Sequence, residues 1–239
     1  MGPLKNNSST LWVVGTPLND DGKLSNDAID CINKADLIIA ESKKGGFPYL
    51  KQTQYLPTTP LFFLDPFRED SWKELQALMK SLAHEGKRIV LISDTGMPIL
   101  FDPGSQVLNW ARSLTYEIRS VPSATSWGSA CALSGWEPPF LILGFLSRDT
   151  EQRKSQLSQL RNATHHTVLL DTPYRFETLL NQAKETLGSD REVFLAWEVA
   201  KPQERLIWGS IKNIQREAEI HSLKKGEFIL IIQGVSRVK

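Results

Sequence analysis

The chain has 239 residues, 41% of them hydrophobic and 23% charged, with 28 Lys plus Arg against 27 Asp plus Glu. That length supports a large core, arranged as one large domain or two smaller ones. The near-neutral balance excludes a whole-chain field that draws in polyanions, so a basic surface can exist only as a local patch.

Apolar runs rich in β-branched and aromatic residues predict strands at 11–14 (LWVV), 37–40 (LIIA), 61–64 (LFFL) and 89–92 (IVLI). Between them, Ala28, Ile29 and Ile32, then Trp72, Leu75, Leu78, Met79 and Leu82, recur at helical spacing. Strand alternating with helix implies a parallel sheet. His84-Glu85-Gly86 closes the second of these helices with a C-terminal glycine before the strand at Ile89. Past Pro122 the order is a helix at 126–134, a strand at 140–145, a polar helix at 149–161, and strands at 167–171, 193–197, 204–208 and 227–233. Helices are expected at 174–187 and 210–221. The short turn Glu198 to Gln203 allows an antiparallel hairpin, so the second half is expected to hold a mixed sheet. The fold class is therefore α/β, in two α/β domains. A boundary near Ser120 to Pro122 divides the chain into residues 1–120 and 121–239.

The richest candidate for a ligand site is VLISDTGMPILFDPG, residues 90–104, where a strand breaks into Gly, Pro and acidic residues. In α/β folds such strand ends are where ligands bind. Several other signatures fail on spacing. GTPLNDDGK, residues 15–23, has six residues between its glycines and Leu24 after Lys23, so it lacks the form of a phosphate-binding loop. No GxGxxG follows a strand, and no GxSxG supports a serine nucleophile. His84, His165, His166 and His221 have no metal-ligand spacing and are expected to face solvent or cap helices. Cys31 and Cys131 form no CxxC pair, which leaves no disulfide framework or zinc site and predicts two buried thiols. Asp94 and Asp102 are either general bases or, as is commoner in Gly/Pro loops, turn-forming residues. Trp127 and Trp136 are expected in the core rather than stacked on a flat substrate. No apolar run approaches the roughly 18 residues of a membrane span, and MGPLKNNSST lacks a signal-peptide core, so a soluble cytoplasmic protein with no membrane partner is expected. Asn6, where myristoylation wants Ser or Thr, speaks against acylation at Gly2.

Five stations in chain order carry a family resemblance. They are LWVVGTP (11–17), DLIIAESKK (36–44), VLISDTGMPILFDPG (90–104) and VPSATSWGSACALSG (121–135) running into FLILGFLSR. The last is LLDTPYR (169–175) with WEVAKPQER and KGEFILIIQG. Together they resemble the tetrapyrrole methylase family of S-adenosylmethionine-dependent enzymes, and within it the branch of small-subunit ribosomal RNA cytidine 2′-O-methyltransferases. The resemblance implies adenosylmethionine in a cleft between two α/β domains, usually in a homodimer. It places cofactor contacts on Pro17, Thr95, Gly96, Met97, Leu100, Thr125, Ser126, Thr172, Val199 and Glu227. Glu41, Asp94, Arg175 and Lys201 are polar members of these stations, with no catalytic role assigned among them.

The chain also departs from that branch. Where the branch typically reads GTPIGNL, EDTR, SDAGTP, PGPSA or PGACA, ESPHR and ELTK, this chain has GTPLNDD, ESKK, SDTGMP, PSATS, DTPYR and EVAK. Met97 stands for a Thr and Ser123 for a Gly. The sequence runs only a few residues past IIQG, so the C-terminal extension common in the branch is not expected. The leading expectation is a ribosomal RNA methyltransferase, with the small ribosomal subunit as partner. Its alternatives are methylation of a tetrapyrrole-like molecule and a non-catalytic paralogue. Lys43, Lys44, Arg148, Arg153 and Lys154 lining the site would favour RNA, because phosphate contacts supply much of nucleic-acid affinity.

Overall fold

The β-branched runs become strands in a computed structural model, which describes residues 8–19, 21–64 and 69–235. Gly2 and Asn6, weighed above for acylation, and Asp20 of the first loop lie outside the described residues. The first unit, Met1–Thr125, comprises β1 (Thr10–Val14), α1 (Asn26–Asn33), β2 (Leu37–Ala40), α2 (Lys43–Leu50) and β3 (Leu61–Phe63). It continues with α3 (Glu69–Leu82), β4 (Arg88–Ile92), α4 (Ser105–Ser113) and β5 (Glu117–Val121).

Its strands form a sheet in the order β3-β2-β4-β1-β5, all parallel. The central strands β2 and β4 are apolar almost throughout because helices cover both faces. The alternation sorts the faces: Leu11, Leu37, Ile39, Ile89 and Leu91 pack on α3 and α4, while Val14, Ile38, Ala40, Val90 and Ile92 pack on α1 and α2.

The second unit, Ser126–Lys239, holds α5 (Ser126–Ser134), β6 (Phe140–Phe145), α6 (Thr150–Gln159), β7 (His166–Asp171) and α7 (Phe176–Leu187). Then come β8 (Glu192–Trp197), β9 (Arg205–Ser210), α8 (Ile211–Ile220) and β10 (Phe228–Ile232). The sheet order is β6-β7-β10-β8-β9, with β6 parallel to β7 and the other pairs antiparallel. This is the expected mixed sheet, and β8 and β9 form the expected hairpin. One face buries Leu169, Leu195, Phe228 and Leu230 against Phe176, Leu180, Ile211 and Ile214 of α7 and α8.

Three elements were not legible. Helix α2 carries Gly45, Gly46 and Pro48, residues that oppose helices individually. It forms because Ser42 caps it, accepting from the Gly45 N–H at 3.2 Å. Helix α4 was concealed behind the loop preceding it. Strand β5 is an edge strand exposed along EIRS, so it has no buried-face pattern to read.

Several burial expectations are corrected. Cys31 is buried but Cys131 is only half-buried. Trp127 and Trp136 are half-buried rather than core, and Trp136 stacks on His166 with ring centroids 5.0 Å apart. His84 is exposed and His221 caps α8, as expected. His165 and His166 are half-buried instead, and His166 Nδ1 accepts from the Gly234 N–H at 3.2 Å.

Candidate functional site

Because β1 and β4 are neighbours, their C-terminal loops leave the first sheet side by side. The Thr16 N–H donates to Gly96 O at 2.8 Å, and Thr16 Oγ1 and Ser93 Oγ approach the same oxygen at 3.3 and 3.0 Å. Gly96 is buried at φ +71°, and a Cβ there would meet Ala124 O at 3.2 Å. The loop beyond is strained: the β-branched Ile99 sits at φ +82° and Phe101 at +69°. Non-glycine residues held there cost on the order of 1–3 kcal/mol each and gather at functional sites.

The two departures from the branch pattern meet each other in this loop cluster. The Ser123 N–H points at Met97 Sδ, 3.2 Å away, and Ser123 Oγ donates to Thr16 O at 2.7 Å. A Cβ added at Gly15 would lie 2.4 Å from Ser123 Cβ and 2.8 Å from Met97 Sδ. The side chains of Met97 and Ser123 therefore close around Gly15 as one packed unit.

A carboxylate group stands at the ends of β2 and β4. Asp94 accepts from the Ser42 N–H at 3.1 Å and from Ser42 Oγ at 2.6 Å. Its own N–H donates to Glu41 Oε2 at 3.0 Å. The Asp94 carboxylate thus sits at the start of α2, where helix dipole and cap favour a negative charge. A Cβ at Gly45 would fall 2.2 Å from Asp94 Oδ1, so only glycine admits this approach. Burial pushes Glu41 upward. Burial, then the charges of Glu41 and Asp94, push Asp102 up to about 7. No group of His, Cys, Asp and Glu among the described residues could hold a metal ion.

In the second unit, Phe228 at the start of β10 lies opposite both Asp171 and Trp197. The segments after β7 and β8 and before β10 therefore share one end of the sheet. Lys201 Nζ is clamped there between Glu198 Oε2 at 3.0 Å and Glu227 Oε2 at 2.9 Å. These two carboxylates raise its pKa against the opposing effect of burial, which holds it as a cation. Arg175 pairs at 3.3 Å with Asp171, whose side chain is fully buried and whose Oδ2 has no described partner. Lys225 sits 4.4 Å from the centre of the Tyr174 ring and, by hydrogen bond and charge, draws that phenol below its ordinary range.

The expected cofactor residues fall in two groups. In the first unit, Pro17, Thr95 and Met97 are half-buried, Gly96 is buried and Leu100 is exposed, all at the β1 and β4 loops. Thr125 is half-buried and ends that unit. In the second, Ser126 opens α5, Thr172 is exposed after β7, Val199 is buried after β8, and exposed Glu227 precedes β10. Thr172, Val199 and Glu227 share the sheet end described above. Both backbone groups of Glu227 are already bonded to Glu198.

Of the expected basic residues, Arg153 is excluded from phosphate contact. It is buried, bonded to Gln182 and to the Ser147 and Arg148 carbonyls, and so is structural. Lys154 pairs loosely with Glu185 at 3.8 Å, while Lys43, Lys44 and Arg148 are exposed. The sequence reading missed Ser42, Tyr174 and Lys225. A signal for Ser42 was present in its spacing to Gly45 as an N-cap.

The first-unit loops fit a ligand bound largely by backbone. The N–H groups of Thr95 and Met97, and the Thr95 hydroxyl, donate to no described residue, which leaves donors available at the C-terminal end of the central strand β4. Two cavities elsewhere, of about 250 Å³ beside α7 and α8 and about 460 Å³ beside α3 and α4, take in none of these residues.

Comparison with known proteins agrees with this architecture. The chain is 30% identical over 228 residues to a protein of Thermotoga maritima named ribosomal RNA small subunit methyltransferase I, covering 94% of this chain and 98% of that one. A protein of the same name from Mycoplasmopsis pulmonis is 30% identical over 221 residues, 92% of this chain and 96% of its own. The structure of a cobalamin biosynthetic enzyme, cobalt precorrin-4 methyltransferase, superposes with a TM-score of 0.66 at 15% identity, over 93% of this chain and 94% of that one. The profile of the Tetrapyrrole (Corrin/Porphyrin) Methylases matches residues 10–215. This chain therefore belongs to the tetrapyrrole methylase family.

Proposed function

We propose that this chain transfers a methyl group from S-adenosylmethionine to the ribose 2′-hydroxyl of a cytidine in small-subunit ribosomal RNA. The observation that carries this reading is end-to-end identity, 30% over 98% of a relative named for that RNA. Pro17, Thr95, Gly96, Met97, Leu100 and Thr125, with Ser126, Thr172, Val199 and Glu227, would hold the cofactor. The N–H groups of Thr95 and Met97, which have no acceptor among the described residues, support the first part of that set. When bound, the cofactor supplies a sulfonium-activated methyl group.

The protein's own task is positioning, since holding two reactants in line can remove about 7–11 kcal/mol from a barrier. Lys201, fixed as a cation by Glu198 and Glu227, does not take the hydroxyl proton; with its charge met by two carboxylates, it holds the segments after β8 and before β10 together. Asp94 is committed to Ser42. The same reading places the protein in the cytoplasm as a homodimer, with the small ribosomal subunit as its partner. Sedimentation of the purified chain at a mass near twice 26.9 kDa tests the dimer.

Calorimetric titration with S-adenosylhomocysteine tests the cofactor site. Micromolar binding, about −8 kcal/mol, is expected. No binding at millimolar ligand would count against a competent site.

A further inference from the structure

Thr172-Pro173-Tyr174-Arg175 is a turn closed by the Arg175 N–H donating to Thr172 O at 3.0 Å. Tyr174 stands at its tip, 74% exposed. An aromatic ring held this far into solvent contributes little to a core. Its one described contact is the Lys225 ammonium, 4.4 Å from the ring centre. Of the cations near it, Lys201 is held by Glu198 and Glu227 and Arg175 by Asp171, while exposed Lys224, next to Lys225 in the chain, has no carboxylate among the described residues. Lys225 has no carboxylate among the described residues, so its charge is available beside the ring.

We propose that Tyr174 and Lys225 form a platform for single-stranded RNA, with a base stacked on the phenol ring and a neighbouring phosphate against the ammonium. Stacking on an exposed aromatic is sequence-tolerant and strong, and a lysine serves a phosphate as a point charge. With Lys201 and Arg175 committed to carboxylates, the free charge is confined to Lys224 and Lys225, which suits a base and its phosphates better than a macrocycle carrying many carboxylates. A single tyrosine ring also matches one base in extent. The inference rests on the reading of the acceptor as RNA and assigns Tyr174 a positioning role within it.

The test measures binding of a fluorescein-labelled, cytidine-rich single-stranded RNA of about twelve nucleotides by anisotropy. It is paired with methylation of undermethylated small subunits and with S-adenosylhomocysteine titration. Tyr174→Ala should weaken RNA binding roughly ten- to hundred-fold and leave S-adenosylhomocysteine affinity unchanged. Tyr174→Trp should restore RNA binding to within about two-fold, because the π-face returns. Lys225→Gln should reduce the slope of log affinity against log salt by about 0.7.

If the wild-type chain binds RNA and methylates subunits while Tyr174→Ala binds within about two-fold of it, the platform is refuted and the function stands. If Tyr174→Ala loses binding of a carboxylated tetrapyrrole and keeps that of RNA, the platform is again refuted. If the wild-type chain neither binds RNA nor methylates subunits, the function falls and the platform with it.

Discussion

Asp102 offers a quantitative test of how the β4 loop is built. Burial, Glu41 and Asp94 lift its carboxyl from 3.8 to about 7. Each factor of ten in acidity is about 1.4 kcal/mol, so ionised Asp102 would cost the folded state at most about 4 kcal/mol. Asp102 is only partly withdrawn from water, and screening reduces this to roughly 1–2 kcal/mol. The sign follows from a pKa raised on folding. Below about pH 4 the group is protonated in both states and costs nothing. As pH rises toward 7 the unfolded chain ionises first, and the folded state loses stability relative to it. Asp102→Asn removes the titration and keeps the size of the side chain. It should be nearly neutral at about pH 4 and should stabilise by roughly 1–2 kcal/mol at about pH 8. In a chain of this length that is a rise of roughly 2–8 °C in Tm by differential scanning calorimetry. An equal shift at both pH values, or destabilisation at pH 8, would refute the carboxylate cluster as described.

Gly15→Ala should destabilise the first unit by about 3 kcal/mol or more and abolish S-adenosylhomocysteine binding, since its Cβ would lie 2.4 Å from Ser123 Cβ and 2.8 Å from the Ser123 nitrogen. Urea denaturation and calorimetry check both parts. Ser123→Gly removes the hydrogen bond to Thr16 O and should cost about 1 kcal/mol in urea denaturation. Arg153→Ala strands Gln182 and two carbonyls, and should cost the second unit about 3 kcal/mol while leaving the salt dependence of RNA binding unchanged. A shallower salt slope would put Arg153 on the RNA after all.

The two sheets were legible because their central strands are apolar on both faces, as in LIIA, IVLI and FILII, and because α1, α3, α7 and α8 keep clean apolar stripes. Helix α2 was hidden because capping by Ser42 and the close approach of Asp94 outweigh the poor propensity of Gly45, Gly46 and Pro48. The loops at 15–17 and 93–104 could be picked out from Gly and Pro at a strand end. That Met97 and Ser123 touch each other could not, since they lie on different strand exits. Arg153 shows the reverse failure: a basic residue on a polar helix reads as surface, but its guanidinium turns inward to satisfy carbonyls of the preceding loop. Tyr174 and Lys225 are separated by two strands and become neighbours only through the register of β10 with β7.

The most direct test of the account is methyl transfer to small ribosomal subunits purified from cells lacking this activity. Radiolabelled S-adenosylmethionine is followed by alkaline hydrolysis and nucleotide mapping. The account predicts label in the RNA at an alkali-resistant cytidine linkage, since a 2′-O-methyl group blocks cleavage there. Label on a base, or no label in RNA from a chain that binds S-adenosylhomocysteine, would contradict it.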